Sequence, residues 1–414
     1  MNEDLKYDNP ASFEIGWAHY SGIGAEQNYE RASKYFQVAA SSGHAEAQFA
    51  LAHMYEQGHG VTQDKNLALK WYLEASTVGH ANAQFATGRC FQFGLGTTPA
   101  PNTAANWYLR AASQGHVAAQ RTVGLMFGDG IGFAQDDQAS LFWLTKAADQ
   151  GDALALCELG AYFSLGKGVA KNDVRAFQFF MQSAEQGTRV AQFNLGLAYE
   201  QGCGVERNLS LAIHWYESAC ASDHVDAMIN LSLIFIAGDT HEKNEPMAVA
   251  LLRRAAELGS AHAHSILGAC YERGIGVTQD FAIAALEYQT AANHGFAMAK
   301  MNLGQLYETG KGVPKDNELA ILWLRRAADD GCAEAQYKLG MKYIGGSGVD
   351  ADVDKGKDLL VSAATNGFVM AQHFIGTVYE RMGGEHNIER AKYWYVRAAQ
   401  GGNLDAAAAL DRSA

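Results

Sequence analysis

Catalysis needs side chains of complementary chemistry at spacings that let them converge, and several places in the chain invite that reading. Ser164 and Lys167 stand three apart, as in the serine-lysine pair of penicillin-recognising enzymes. Ser164 falls at a glycine-rich loop, however, and the partner motifs of such enzymes do not occur. Asp350, Asp352 and Asp354 begin like a calcium loop, but the glycine comes one place late at Gly356 and Val361 stands where a bidentate glutamate belongs. Asp352 reads better as a helix cap. His44, His80, His116 and His224 share one phase of a repeat. Stacked helices would space them by roughly 10 Å, far beyond the bonds of about 2 Å that a shared zinc requires, so they read as turn or cap residues. His262 and His264 are two apart and face different ways on a helix. No HExxH, P-loop or G-x-S-x-G occurs, and the G-x-G loops join helix to helix, where a dinucleotide site needs strand to helix. These residues point to no catalysis, no metal, no cofactor and no small-molecule substrate.

Composition narrows the partners. The 32 basic residues against 45 acidic ones leave a net charge of −13, a surface that repels nucleic acid and anionic membranes. With 48% hydrophobic and 19% charged residues the chain has ample material for a core. Five prolines beside 44 glycines suit helices punctuated by glycine turns. The amino-terminal ten residues are polar and lack the basic start and apolar core of a secretory signal, and no later apolar run reaches the roughly 18 residues of a membrane span. The expectation is therefore a cytoplasmic protein. Cys90, Cys157, Cys203, Cys220, Cys270 and Cys332 form no CxxC and no fixed pair per repeat, which predicts free thiols buried as small hydrophobes.

What must position any binding group is a repeat. Gly43, Gly79, Gly115, Gly151, Gly187, Gly259, Gly295, Gly331 and Gly367 fall on one phase of 36 residues, with Asp223 the sole substitution. Within each period two short helices are legible. One carries Ala47, Leu51, Ala52 and Tyr55 at helical spacing and ends at the glycine pair Gly58 and Gly60. The other opens after Asp64, at a phase shared by Asn28, Asp136, Asn172, Asn208, Asn244, Asp280, Asp316 and Asp352, whose side chains suit N-caps. The phase of Ala52 holds Gly88, Gly124, Gly160, Gly196, Gly268, Gly304, Gly340 and Gly376. Glycine inside a helix costs about 1 kcal/mol against alanine, so the recurrence predicts close approach of a neighbouring backbone.

The segments LAHMYEQGHGVTQDKNLALKWYLEAS, LGLAYEQGCGVERNLSLAIHWYESAC and LGQLYETGKGVPKDNELAILWLRRAA resemble the Sel-1-like repeat, with its G-x-G-V loop, Asx cap and A-x-x-W-Y segment. The related tetratricopeptide repeat runs 34 residues and closes on proline, which this chain does not. The resemblance implies an all-α, right-handed superhelical solenoid of about eleven 36-residue helix hairpins. It also implies a scaffold or adaptor, of the kind found in signalling and in bacterial host-interaction or envelope processes, that binds another protein or peptide segment in its concave groove. An enzyme with an atypical hydrolase site and a self-associating structural protein are the alternatives.

Residues 1–10 are expected as a disordered lead, 11–402 as one solenoid, and 403–414 as a closing helix and tail. With Leu51, Ala52 and Tyr55 in the core, Glu46, Phe49, His53, Glu56 and Gln57 share another face. That face and its repeats nominate Phe13, Trp17, Phe49, His53, Glu56, Phe85, Arg89, Arg121, Phe193 and Tyr337 as the partner-binding surface, against packing of the Phe49 phase between hairpins. The ladder Glu56, Glu200, Glu272, Glu308 and Glu380 suggests a groove that favours basic segments, or a solvated acidic edge. Three stretches depart from the pattern: 97–103 loses the Asx cap at Ala100, 236–246 loses a loop glycine, and 381–387 is one residue short.

Overall fold

The computed structural model describes residues 9–238 and 243–412, and every regular element among them is an α-helix. The expected disordered lead lies outside the described residues as far as residue 8, while Asn9 and Pro10 open the first helix. Residues 239–242 of the divergent loop also lie outside.

A first compact unit, Met1–Ser218, holds α1 (Asn9–Ser21), α2 (Tyr29–Ser41), α3 (Ala45–Gln57), α4 (Lys65–Thr77), α5 (Ala81–Phe93), α6 (Pro101–Ser113), α7 (Val117–Asp129), α8 (Asp137–Ala148), α9 (Ala153–Leu165), α10 (Asp173–Glu185), α11 (Arg189–Gln201) and most of α12 (Leu209–Cys220). A second, Ala219–Ala414, holds α13 (Val225–Ala237), α14 (Glu245–Glu257), α15 (Ala261–Arg273), α16 (Phe281–Asn293), α17 (Ala297–Thr309), α18 (Asn317–Asp329), α19 (Ala333–Gly345), α20 (Val353–Thr365), α21 (Val369–Met382), α22 (Glu385–Gln400) and α23 (Leu404–Arg412). Odd-numbered helices open the repeats and even-numbered ones close them. Consecutive helices pack on one another from α1 to α11 in the first unit and from α13 to α23 in the second, and the architecture is a helical solenoid.

The Asx caps form as their positions predict. Asp64 Oδ1 accepts from the Asn66 and Leu67 amides at 2.8 and 3.0 Å, and Asp352 caps α20 through Lys355 at 3.0 Å. At α6 the Ala100 side chain makes no cap, and Pro101 starts the helix instead, a position where its missing N–H costs nothing. The opening helices of the first unit stop at a left-handed glycine such as Gly58, whose amide returns to Met54 O at 2.8 Å. The second loop glycine is set by packing. A Cβ on Gly60 would stand 2.2 Å from the carbonyl carbon of Tyr29, because each loop lies on the first turn of the closing helix one repeat earlier.

The helix glycines correct the expectation of backbone contact. A Cβ on Gly196 would stand 2.4 Å from the Tyr216 ring, and one on Gly88 2.7 Å from that of Tyr108. The groove admits an aromatic side chain from the partner helix. Only where that phase holds leucine does backbone approach closely, as at Gly304 and Gly340, each 3.0 Å from a carbonyl oxygen. Tyr108, Tyr216, Tyr288 and Tyr395 are buried in this way, each contributing about 1.5–3 kcal/mol of transfer free energy. That outweighs the roughly 1 kcal/mol helix penalty of the glycine. At the linking phase Asp223 adopts φ 57 where glycines stand elsewhere, beside Arg254 at 2.5 Å.

Candidate functional site

The opening helices of successive repeats line a cleft of about 640 Å³ in the first unit. From α1 come Phe13, Trp17, Glu14 and Tyr20, from α3 Phe49, His53, Ala50 and Glu46, and from the start of α5 His80 and Asn82. Four of the sequence-nominated residues, Phe13, Trp17, Phe49 and His53, are thus brought together. Trp17 is 48% exposed. Its ring follows Phe13 at 6.3 Å and precedes Tyr20 at 5.7 Å between centroids. Tyr20 Oη lies 3.4 Å from His53 Nδ1.

Phe13, Phe49 and Phe85 are half-buried and serve the seam as well. Each stacks on the capping histidine one repeat later, His44, His80 and His116, with centroids 4.6, 5.0 and 4.6 Å apart. In those histidines Nδ1 accepts the amide three residues on, at 3.1–3.2 Å, and His224 caps α13 likewise. The reading of the histidine row as caps therefore holds. Burial holds His80 and His116 below the ordinary histidine value. His53 is lowered by burial too, opposed by Glu56 and reinforced by His59 and Arg89.

Other nominated residues are committed elsewhere. Glu56 accepts from Tyr72 Oη at 2.7 Å and pairs with Arg89, while Arg121 holds both Asp152 oxygens at 2.9 and 2.6 Å. The glutamate ladder is largely internal, since Tyr216, Tyr288 and Tyr395 donate to Glu200, Glu272 and Glu380 at 2.5, 2.8 and 2.7 Å. In the same role Gln92 accepts from Tyr108 at 2.6 Å. Glu308 pairs with Lys342 at 2.6 Å. A free acidic groove built on this ladder is thereby corrected: those four glutamates clasp the two helices of one hairpin, and burial followed by the carboxylate hydrogen bond raises the Tyr72 and Tyr288 hydroxyls. Phe193 packs on Tyr216. Tyr337, in the second unit, packs on Phe368 and lines a different cleft of about 370 Å³ with Met301, Lys338 and Lys342.

Lys167 donates to Gly128 O at 2.9 Å and lies over the Tyr162 ring, while Tyr162 Oη meets Ser140 Oγ at 2.8 Å. Ser164 lies on another face, lining a hollow with Lys171 and Cys203. Among the described residues no group of three or more His, Cys, Asp or Glu is placed to hold a metal. None of the six cysteines forms a disulfide, but only Cys90, Cys157, Cys220 and Cys270 are buried. Cys203 is exposed and Cys332 partly so, because both sit in turns outside the packed helix faces.

Sequence reasoning placed Glu46 on the face of Phe49 and His53 but missed Glu14, Tyr20, Ala50, His80 and Asn82 as cleft residues. A signal existed for Tyr20, which continues the stripe of Phe13 and Trp17 at helical spacing. The others join only through neighbouring repeats.

Eleven consecutive segments, from 9–44 through 369–403, match the Sel1 repeat. Among solved structures the chain is similar to c5321, a protective antigen of uropathogenic Escherichia coli strains displaying an SLR fold. That likeness has a TM-score of 0.79 and 31% identity, covering 98% of this chain and 86% of the other. A Sel1 repeat protein from Oxalobacter formigenes is 30% identical, with a TM-score of 0.54 over 59% of this chain and 96% of its own. No curated protein matches.

Proposed function

Because the chain belongs to the Sel1 repeat family, whose helix hairpins build interaction surfaces, we propose that it is a non-catalytic scaffold holding a segment of another protein along its opening helices. The cleft at Phe13, Trp17, Phe49 and His53 is its principal contact. Phe85, Arg89, Arg121 and Phe193 continue the row in the first unit, and Tyr337 belongs to the corresponding row of the second. The observation that carries this reading is the half-exposed indole of Trp17 at the mouth of an aromatic-lined cleft. Tryptophan is the residue type most enriched among binding hot spots, and such anchors sit in pockets that exclude water when filled.

In this reading the eleven unbroken repeat matches support one array over 11–402, closed by 403–414. Among the described residues no helix is long and apolar enough to cross a membrane. We propose a cytoplasmic location, a reducing compartment in which six cysteines without a disulfide are expected.

Peptides selected from a displayed library on the full chain, with affinities measured by calorimetry, test the proposal. Trp17→Ala should weaken selected peptides by about 2 kcal/mol or more, while Phe142→Ala, which removes an exposed ring on α8, should not. Arg89 is unsuited to this test because its loss would leave Glu56 without its cation. Selected peptides that bind Trp17→Ala as well as the parent would exclude the cleft as the contact. Light scattering at the same concentrations separates self-association from partner binding.

A further inference from the structure

The cleft of the first unit is more than an apolar seat. Phe13, Trp17 and Tyr20 follow one another along α1 with planes 26° and 23° apart, and Phe49 lines the same space from α3. Glu14 and Glu46, both exposed, line it as well. Among the described residues no lysine or arginine does. Glu46 lies 3.8 Å from His44 Nδ1, a nitrogen whose hydrogen bond comes from the Ala47 amide. The two lining imidazoles, His53 and His80, are kept toward their neutral forms by burial. Among the described residues the lining therefore combines ring faces, which are electron-rich, with two carboxylates and no lysine or arginine.

Ring faces attract cations, tryptophan most strongly, and a neutral apolar guest would draw the carboxylates toward a drier surrounding without pairing them. We propose that this cleft receives the positively charged side chain, arginine or lysine, of a basic segment in a partner protein. This rests on the scaffold reading above and names what its principal contact selects. The net charge of −13 favours the approach of such a segment. A volume of about 640 Å³ accommodates a long side chain together with its neighbours. The selectivity is local, since the second unit's cleft presents Lys338 and Lys342 beside Tyr337.

The test uses the full chain with ¹⁵N-labelled tryptophan, the Trp17 indole signal being assigned by its loss in Trp17→Phe. The probes are acetylated, amidated Gly-Arg-Gly, Gly-Lys-Gly and Gly-norleucine-Gly, with tetramethylammonium chloride, all at one ionic strength. The arginine and lysine peptides should shift the Trp17 signal, with the norleucine peptide about tenfold weaker. Glu14→Gln combined with Glu46→Gln should weaken the two cationic peptides about tenfold and leave norleucine unchanged. Both glutamates are exposed, and an unchanged thermal melt verifies the fold. Norleucine binding as tightly as arginine would overturn charge selection while leaving the scaffold reading intact. A response to tetramethylammonium alone would overturn the peptide assignment, and no response of Trp17 to any probe would overturn the inference as a whole. The cleft as the scaffold's contact falls only if library-selected peptides ignore Trp17→Ala.

Discussion

Gln48 donates its amide to Ala40 O at 3.1 Å, a second bond to a carbonyl at the end of α2 that also accepts the Gly43 amide. Gln84, Gln120, Gln336 and Gln372 do the same one or more repeats away. In most of these the glutamine oxygen is satisfied in turn by an amide thirty residues on: Gln114 reaches Gln84 at 2.7 Å, Gln150 reaches Gln120 at 2.7 Å, and Asn366 reaches Gln336 at 3.0 Å. Lys300 and Asp330 replace the amide pair with an ion pair at the same two phases. At Gln48 the corresponding position is Val78, and the buried Oε1 of Gln48 accepts no hydrogen bond from the protein. Val78 and Gln114 have the same backbone, φ −88 ψ 5 against φ −87 ψ 4, and Val78 is 67% exposed. Val78→Gln should therefore raise stability by about 1 kcal/mol, read as a higher urea midpoint at unchanged slope, with Val78→Ala as control. An equal midpoint for the two variants would deny the pairing. Such links were hidden in the sequence. A 36-residue period aligns Gln48 with Gln84 but carries no distance between 84 and 114, and the Glu56–Tyr72 clasp depends on how two helices cross.

Capping, by contrast, was legible because it is local: an acceptor three residues before an amide needs no tertiary information. Asp64, Asp136 and Asp280 fulfil it, and so do the histidines of the shared phase, because imidazole Nδ1 serves as acceptor when neutral. That use has a pH consequence for α5 and α7, whose caps His80 and His116 are held below the ordinary value of about 6.5. As pH drops below that value the unfolded chain takes up these protons before the folded one, so stability declines. The decline stops once pH passes below the depressed folded values, where both states are protonated. Replacing both histidines with asparagine, which caps without titrating, should lower stability at pH 7.5 through loss of the Phe49 and Phe85 stacks. It should also reduce the fall in melting temperature between pH 7 and pH 5. A double variant that keeps the parent's full pH slope would show that these caps are not its source.

Periodicity alone led to the solenoid, since nine repeats of a linking position leave room for one hairpin in each period and nothing else. It could not reveal a cleft whose walls come from three successive opening helices, because the phases of Glu14 and Glu46 diverge among repeats and acquire meaning only side by side. Arrays of this kind couple each repeat mainly to its neighbours, which makes the last hairpin the sensitive end. There α23 buries Ala406 and Ala409 against Ala391, Tyr395 and Ala398 of α22, with Val369 and Tyr379 of α21 alongside. Tyr395 is 2% exposed and also anchors the clasp to Glu380. Deleting 403–414 uncovers this apolar face without touching any other closing helix, and the lost burial amounts to about 2 kcal/mol. The melting temperature should fall, and hydrogen exchange should accelerate in α21 and α22 while α15 to α18 keep their protection, because the missing contact is felt chiefly by the adjoining repeat. An unchanged melt would mean that α23 contributes no closure, and faster exchange spread evenly through α13 to α22 would mean that the second unit unfolds as one block instead of from its end.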